Sequence, residues 1–111
     1  MLVDDARFIV YASTDANVPD IANSISIEST KSVAQGANYT FPLTQTGVGN
    51  YDKSVTWSLS VESGGTIKSG TTLTQAGKLT VDAAQATTKK LYVTITDAYG
   101  MSSTSTVTVT S

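Results

Sequence analysis

The chain has 111 residues, a formal net charge of −2, and neither cysteine nor histidine. That length suits one domain with one core, about the size of a small two-sheet sandwich. The missing residue types exclude disulfides, Cys/His zinc sites and histidine-based acid–base chemistry, and the sparse, mildly acidic charge leaves no electrostatic footprint for nucleic acid.

The first residues, MLVDDARFIV, do not read as a secretion signal. They lack a basic leading region and a small-residue cleavage site, and Asp4 and Asp5 interrupt the apolar run. Two expectations follow: the segment is cut from a longer protein, or the protein stays in the cytoplasm until lysis. No window reaches the ~20 apolar residues of a membrane span, so membrane insertion is not expected. Residues 1–20 read as an N-terminal extension or linker, with a candidate extra strand at 7–12, RFIVYA, before the turn-rich STDANVPD. Residues 21–111 read as one domain.

Period-2 alternation dominates that domain, and helical periodicity is absent. Segment 21–29 sets Ile25 and Ile27 against Ser24 and Ser26. Segment 37–45 places Tyr39, Phe41 and Leu43 on one face, with Pro42 inside the run. Proline cannot donate to a sheet ladder, so a bulge or a switch between sheets is predicted near Phe41–Pro42. Gly47, Gly49 and Asn50 break the chain. Segment 54–62, SVTWSLSVE, sets Val55, Trp57, Leu59 and Val61 on one face and Thr56, Ser58 and Ser60 on the other.

The second half continues the pattern. Gly64-Gly65 marks a turn, and Thr66-Ile67-Lys68 reads as a short edge strand. Segments 71–75 and 78–82 flank Ala76-Gly77 as a hairpin or bulge. Residues 82–90, DAAQATTKK, read as a loop crossing between sheets, because Thr87 and Thr88 disfavour a long helix. Segment 89–96 faces Leu91, Val93 and Ile95 inward, DAYG at 97–100 turns, and segment 104–110 faces Val107 and Val109 inward. Seven to eight short strands with turn signals every ~8–12 residues predict an all-β fold, a β-sandwich.

The run KSVTWS at Lys53–Ser58, the Gly64–Gly65 turn, GKLTV at Gly77–Val81 and the closing pair Leu91–Thr96 and Thr104–Thr110 carry a resemblance. In that order they resemble the bacterial immunoglobulin-like domains, group 2, over residues 21–111. The chain departs from that pattern at Pro42, which lies within a strand rather than after it, and in residues 1–20, which the family does not cover. The resemblance implies an all-β, Ig-like Greek-key β-sandwich of about seven to eight short strands, and a module without catalytic residues. Such modules occur in intimin/invasin-type adhesins on bacterial cell surfaces and on phage capsid, tail and fibre proteins. The role expected from it is structural display on a virion surface, with other virion subunits as partners and weak contact with host cell-surface polysaccharide or protein. An adhesin repeat and a carbohydrate-binding module of a secreted hydrolase are the alternatives.

Individual residues agree with that reading. Trp57 shares its face with three aliphatic residues and is predicted to be a core anchor rather than a stacking platform for a sugar. Tyr51 and Tyr99 are the candidate surface contacts, as amphipathic tyrosines in loops. Asp52, Asp82 and Asp97 stand singly at strand ends, where aspartate starts turns, and no D-x-D-x-D-G calcium loop exists. Lys31, Lys53, Lys68, Lys78, Lys89 and Lys90 occupy polar or terminal positions, unsuited to a desolvated Ser–Lys pair. No catalytic residue, metal or cofactor is expected. Asn38-Tyr39-Thr40 has the N-glycosylation spacing, which matters only in a eukaryotic secretory route.

Overall fold

The computed structural model describes residues 20–111. The candidate strand at 7–12 lies outside the described residues. Nine strands follow in order: β1 (Ile21–Ser26), β2 (Thr30–Ala34), β3 (Asn38–Thr40), β4 (Thr44–Val48), β5 (Val55–Val61), β6 (Thr72–Leu73), β7 (Lys78–Thr80), β8 (Leu91–Asp97) and β9 (Ser102–Thr110). They form a four-stranded sheet in the order β2-β9-β8-β5, a three-stranded sheet β3-β7-β6 and a two-stranded sheet β1-β4. The architecture is the all-β sandwich predicted from the alternation.

The centre of the four-stranded sheet is β8. Antiparallel neighbours hold it on both sides, β5 from Val55↔Asp97 to Val61↔Leu91 and β9 from Ser102↔Thr96 to Val107↔Leu91. Its alternate residues Leu91, Val93 and Ile95 are fully buried. They meet Trp57, Val107 and Val109 from the flanking strands and Phe41, Leu79 and Val81 from the second layer in one core. Each alternating strand thus delivers one apolar face to a common interior, the pattern that makes a sandwich fold.

Pro42 does what its chemistry requires. Tyr39 pairs with Leu79 in the three-stranded sheet, whereas Thr44 pairs with Ser26 in the two-stranded sheet. Between them the Phe41 N–H donates to the Gly77 carbonyl at 2.9 Å, and the ladder stops at the residue with no N–H to give. The predicted switch between sheets is therefore present. Phe41 stays inside, 2 % exposed, edge-on to Tyr39 with ring centroids 5.0 Å apart.

Three local expectations change. Residues 30–34 form β2, which pairs in parallel with β9 from Thr106↔Thr30 to Thr110↔Ala34. Its only fully buried residue is Val33, so alternation gives little signal there. Residues 44–48, read as the tail of one strand and a break, form β4. Residues 66–68 are not a strand. The Gln85 side chain takes the place of a strand partner, accepting the Lys68 N–H at 3.0 Å and donating to the Thr66 carbonyl at 2.7 Å. The 82–90 loop that carries Gln85 does cross from β7 to β8 without a helix.

Ser105 is the odd member of the core. It has the same strand phase as Val107 and Val109 and is fully buried, and its hydroxyl has no hydrogen-bond partner among the described residues. An unpaired buried hydroxyl costs free energy, so Ser105→Ala is expected to stabilise the domain by about 1 kcal/mol. Thermal denaturation checks this. A lower melting temperature for the variant would mean that the hydroxyl is satisfied in solution.

Candidate functional site

Two loops meet at the end of the sandwich where the described chain begins. One joins β4 to β5 through residues 49–54, and the other is the β8–β9 turn at 98–101. Aspartates tie both, as their places at strand ends predict. The Asp97 Oδ1 accepts the N–H groups of Tyr99 and Met101 at 2.9 and 2.8 Å, closing the turn over Gly100, whose φ is 88°. The Asp52 Oδ1 accepts from the Ser54 N–H at 2.9 Å and from its hydroxyl at 2.6 Å. Those bonds hold the Asp52 carboxyl below its ordinary pKa, the hydroxyl contributing most. Asp20 joins the same end, accepting the Asn50 N–H at 2.8 Å.

The two candidate contact tyrosines come together here. The Asp52 N–H donates to the Tyr99 hydroxyl at 2.8 Å, so the residue after Tyr51 anchors Tyr99. Tyr99 is thereby held at its backbone by Asp97 and at its hydroxyl by Asp52, yet is 54 % exposed. Its ring is presented rather than buried. Tyr51 is half-buried and lies over Gly47, where an added Cβ would come within 2.5 Å of the ring. Gly47 is needed for that close approach. The Lys53 ammonium stands 5.2 Å from the Tyr51 ring centroid. Ile21 and Val48 pair across β1 and β4 beside this ring and are also exposed. The end of the sandwich therefore shows tyrosine and aliphatic surface with one lysine and two aspartates around it, a surface suited to weak contact.

Trp57 is not part of it. The indole is 5 % exposed, lies 6.4 Å from Phe41 between ring centroids, and packs against Gly77. The indole is part of the hydrophobic core, and buried in this way it offers no open face to a sugar.

A second polar cluster sits on the flank. The Tyr39 hydroxyl donates to the Glu28 carboxylate, and the Lys31 ammonium lies 4.1 Å over the Tyr39 ring. The hydrogen bond to Glu28 raises the Tyr39 pKa. Lys89 donates from Nζ to the Ser63 carbonyl at 3.0 Å, a backbone contact rather than a pairing with a serine hydroxyl. Among the described residues there is no group of three or more Asp or Glu side chains placed to hold a metal, and no concave pocket is found. No helix among them is long and apolar enough to cross a membrane.

Sequence reasoning missed Gln75 and Gln85. Gln85 is fully buried and Gln75 bonds both backbone groups of Trp57. A glutamine between turn residues carries no signal that distinguishes it from a solvated one. A comparison of the chain with protein-family models finds no match, and neither does a comparison with curated proteins.

Proposed function

We propose that the chain is a non-enzymatic immunoglobulin-like module of the bacterial group 2 kind, displayed on a phage virion protein of the capsid, tail or fibre. Its Tyr51–Tyr99 end makes weak contact with polysaccharide or protein on the host cell surface. The observation that supports this most directly is the polarity of the sandwich. At the Tyr51–Tyr99 end Asp20 holds Asn50. At the opposite end of β9 the Gln35 N–H donates to the Thr110 carbonyl. Ser102 and Thr110 are the two ends of that strand, about 26 Å apart at the usual rise per residue. The two ends of the sandwich therefore differ, and the loop end is a distinct contact surface.

The test is binding of the purified chain to host cells, compared with Tyr51→Ala and Tyr99→Ala. Both variants are expected to remain folded and to lose most of the cell-bound fraction. Binding unchanged in both variants would reject the tyrosine end as the contact. Genes flanking the coding sequence test the setting. Terminase, portal and tail genes are expected, whereas a parent chain with tandem copies behind an outer-membrane barrel would assign the module to an adhesin.

A further inference from the structure

Thr71 and Gln85 meet inside the sandwich as a hydroxyl and a carboxamide. The Thr71 Oγ1 lies 2.7 Å from the Gln85 Oε1, and the two residues are 4 % and 0 % exposed. A hydroxyl at that distance, meeting a carbonyl lone pair, stands about 3–3.5 Å from the carbonyl carbon, which is the near-attack range for a nucleophile. Both residues are held where they are. The Thr71 N–H donates to the Lys68 carbonyl at 2.9 Å and the Gln85 N–H to the Asp82 carbonyl at 3.0 Å. The Gln85 carbonyl accepts the Gln35 Nε2 at 2.6 Å.

Backbone amides are aimed at both reacting atoms. The Lys68 N–H donates to Oε1 at 3.0 Å, where negative charge would collect if the carboxamide carbon became tetrahedral. The Asp82 N–H donates to the Thr71 Oγ1 at 2.9 Å and so favours negative charge on that oxygen. The contact is buried, so water competes poorly for the same carbon. The chain has no histidine to serve as a base, and these amides are the activation present. A self-modification needs a single turnover per molecule, so it tolerates a far higher barrier than a working enzyme does.

We propose that Thr71 and Gln85 join as an intramolecular ester. The Thr71 Oγ1 attacks the Gln85 Cδ and forms the C–O bond. The bond from Cδ to Nε2 breaks, and the hydroxyl proton ends on Nε2, which leaves as ammonia. No oxidant, metal or cofactor takes part, and escape of ammonia into solvent makes the step one-way. The link closes a covalent ring that contains β6 and β7, and it fastens residues 66–71 to the crossing loop that carries Gln85. It is independent of what the tyrosine end contacts.

The intact mass of the purified full chain tests this. It is expected to fall short of the sequence mass by one ammonia. Trypsin cuts after Lys68, Lys78 and Lys89, so the ester should hold peptides 69–78 and 79–89 together. Hydroxylamine, which cleaves esters, should separate them. Thr71→Val, which keeps the shape of the side chain without its hydroxyl, is expected to show the full mass. A chain without substitutions that is purified at full mass would overturn the proposal. So would an ammonia loss that persists in Thr71→Val or that leaves the two peptides separate. The first measurement needs no variant, so it decides the matter even if Thr71→Val fails to fold.

Discussion

Replacing Trp57 with alanine is expected to destabilise the domain by about 3–5 kcal/mol, the range for removing a buried large aromatic. The indole is 5 % exposed and fills the space between the two layers. It touches Phe41 on one side and Gly77 on another. The fit at Gly77 is close enough to dictate the residue there. A Cβ at that position would lie 2.8 Å from the indole, and its φ of +87° suits glycine. The β6–β7 turn can therefore follow the ring closely, and it cannot close the cavity left by alanine without moving its own hydrogen bonds. A domain of this size has about 5–15 kcal/mol of stability, so the loss is a large share. In a melting experiment followed by circular dichroism it should lower Tm by about 15 °C or more. A Trp57→Ala variant that melts with the unmodified chain would remove the indole from the core.

The second large effect is expected at Gln85. Its side chain is fully buried and makes three hydrogen bonds: from the Lys68 N–H, from the Thr71 hydroxyl at 2.7 Å, and to the Thr66 carbonyl. Thr71 is itself 4 % exposed and its hydroxyl oxygen accepts the Asp82 N–H at 2.9 Å, while Asp82 accepts the Gly70 N–H at 3.0 Å. Residues 66–71 are thus held to the crossing loop by side chains instead of by a ladder. Gln85→Ala leaves those three groups without that partner, the Thr71 hydroxyl in a buried place and the Lys68 N–H and Thr66 carbonyl partly buried. At about 1 kcal/mol for each bond, the loss is about 3 kcal/mol. Hydrogen exchange should show it locally, with the Lys68 amide losing protection and the β8–β9 pairing keeping its own. An unchanged Lys68 amide together with an unchanged Tm would show that the carboxamide does not hold this segment.

The same two glutamines mark the boundary between what could and could not be read from the amino-acid order. Where a segment's behaviour depends on its own residues, the reading was sound. Alternation put Trp57, Ile95 and Val107 on inward faces because successive side chains of any strand point to opposite sides. Asp97 closes its turn because a short carboxylate reaches the N–H groups just beyond it. Pro42 ends a ladder because it has no N–H. The two candidate contact tyrosines are separately visible as loop aromatics, yet their meeting through Asp52 is not. Tyr51 and Tyr99 lie far apart in the chain, and the tie between them is a backbone N–H to a hydroxyl.

By itself, then, the sequence determined the class of fold, the inward faces of the main strands, the turns and the switch at Pro42. Only the tertiary structure decided which strand lies beside which. It paired Thr30–Ala34 in parallel with the last strand, made Thr44–Val48 a partner of β1, and left residues 66–68 to a glutamine side chain. The physical reason is the same in each case. A strand's faces follow from the period of its own side chains, but the partner of a backbone N–H or carbonyl is chosen in space. A peptide group and a glutamine carboxamide satisfy it equally well.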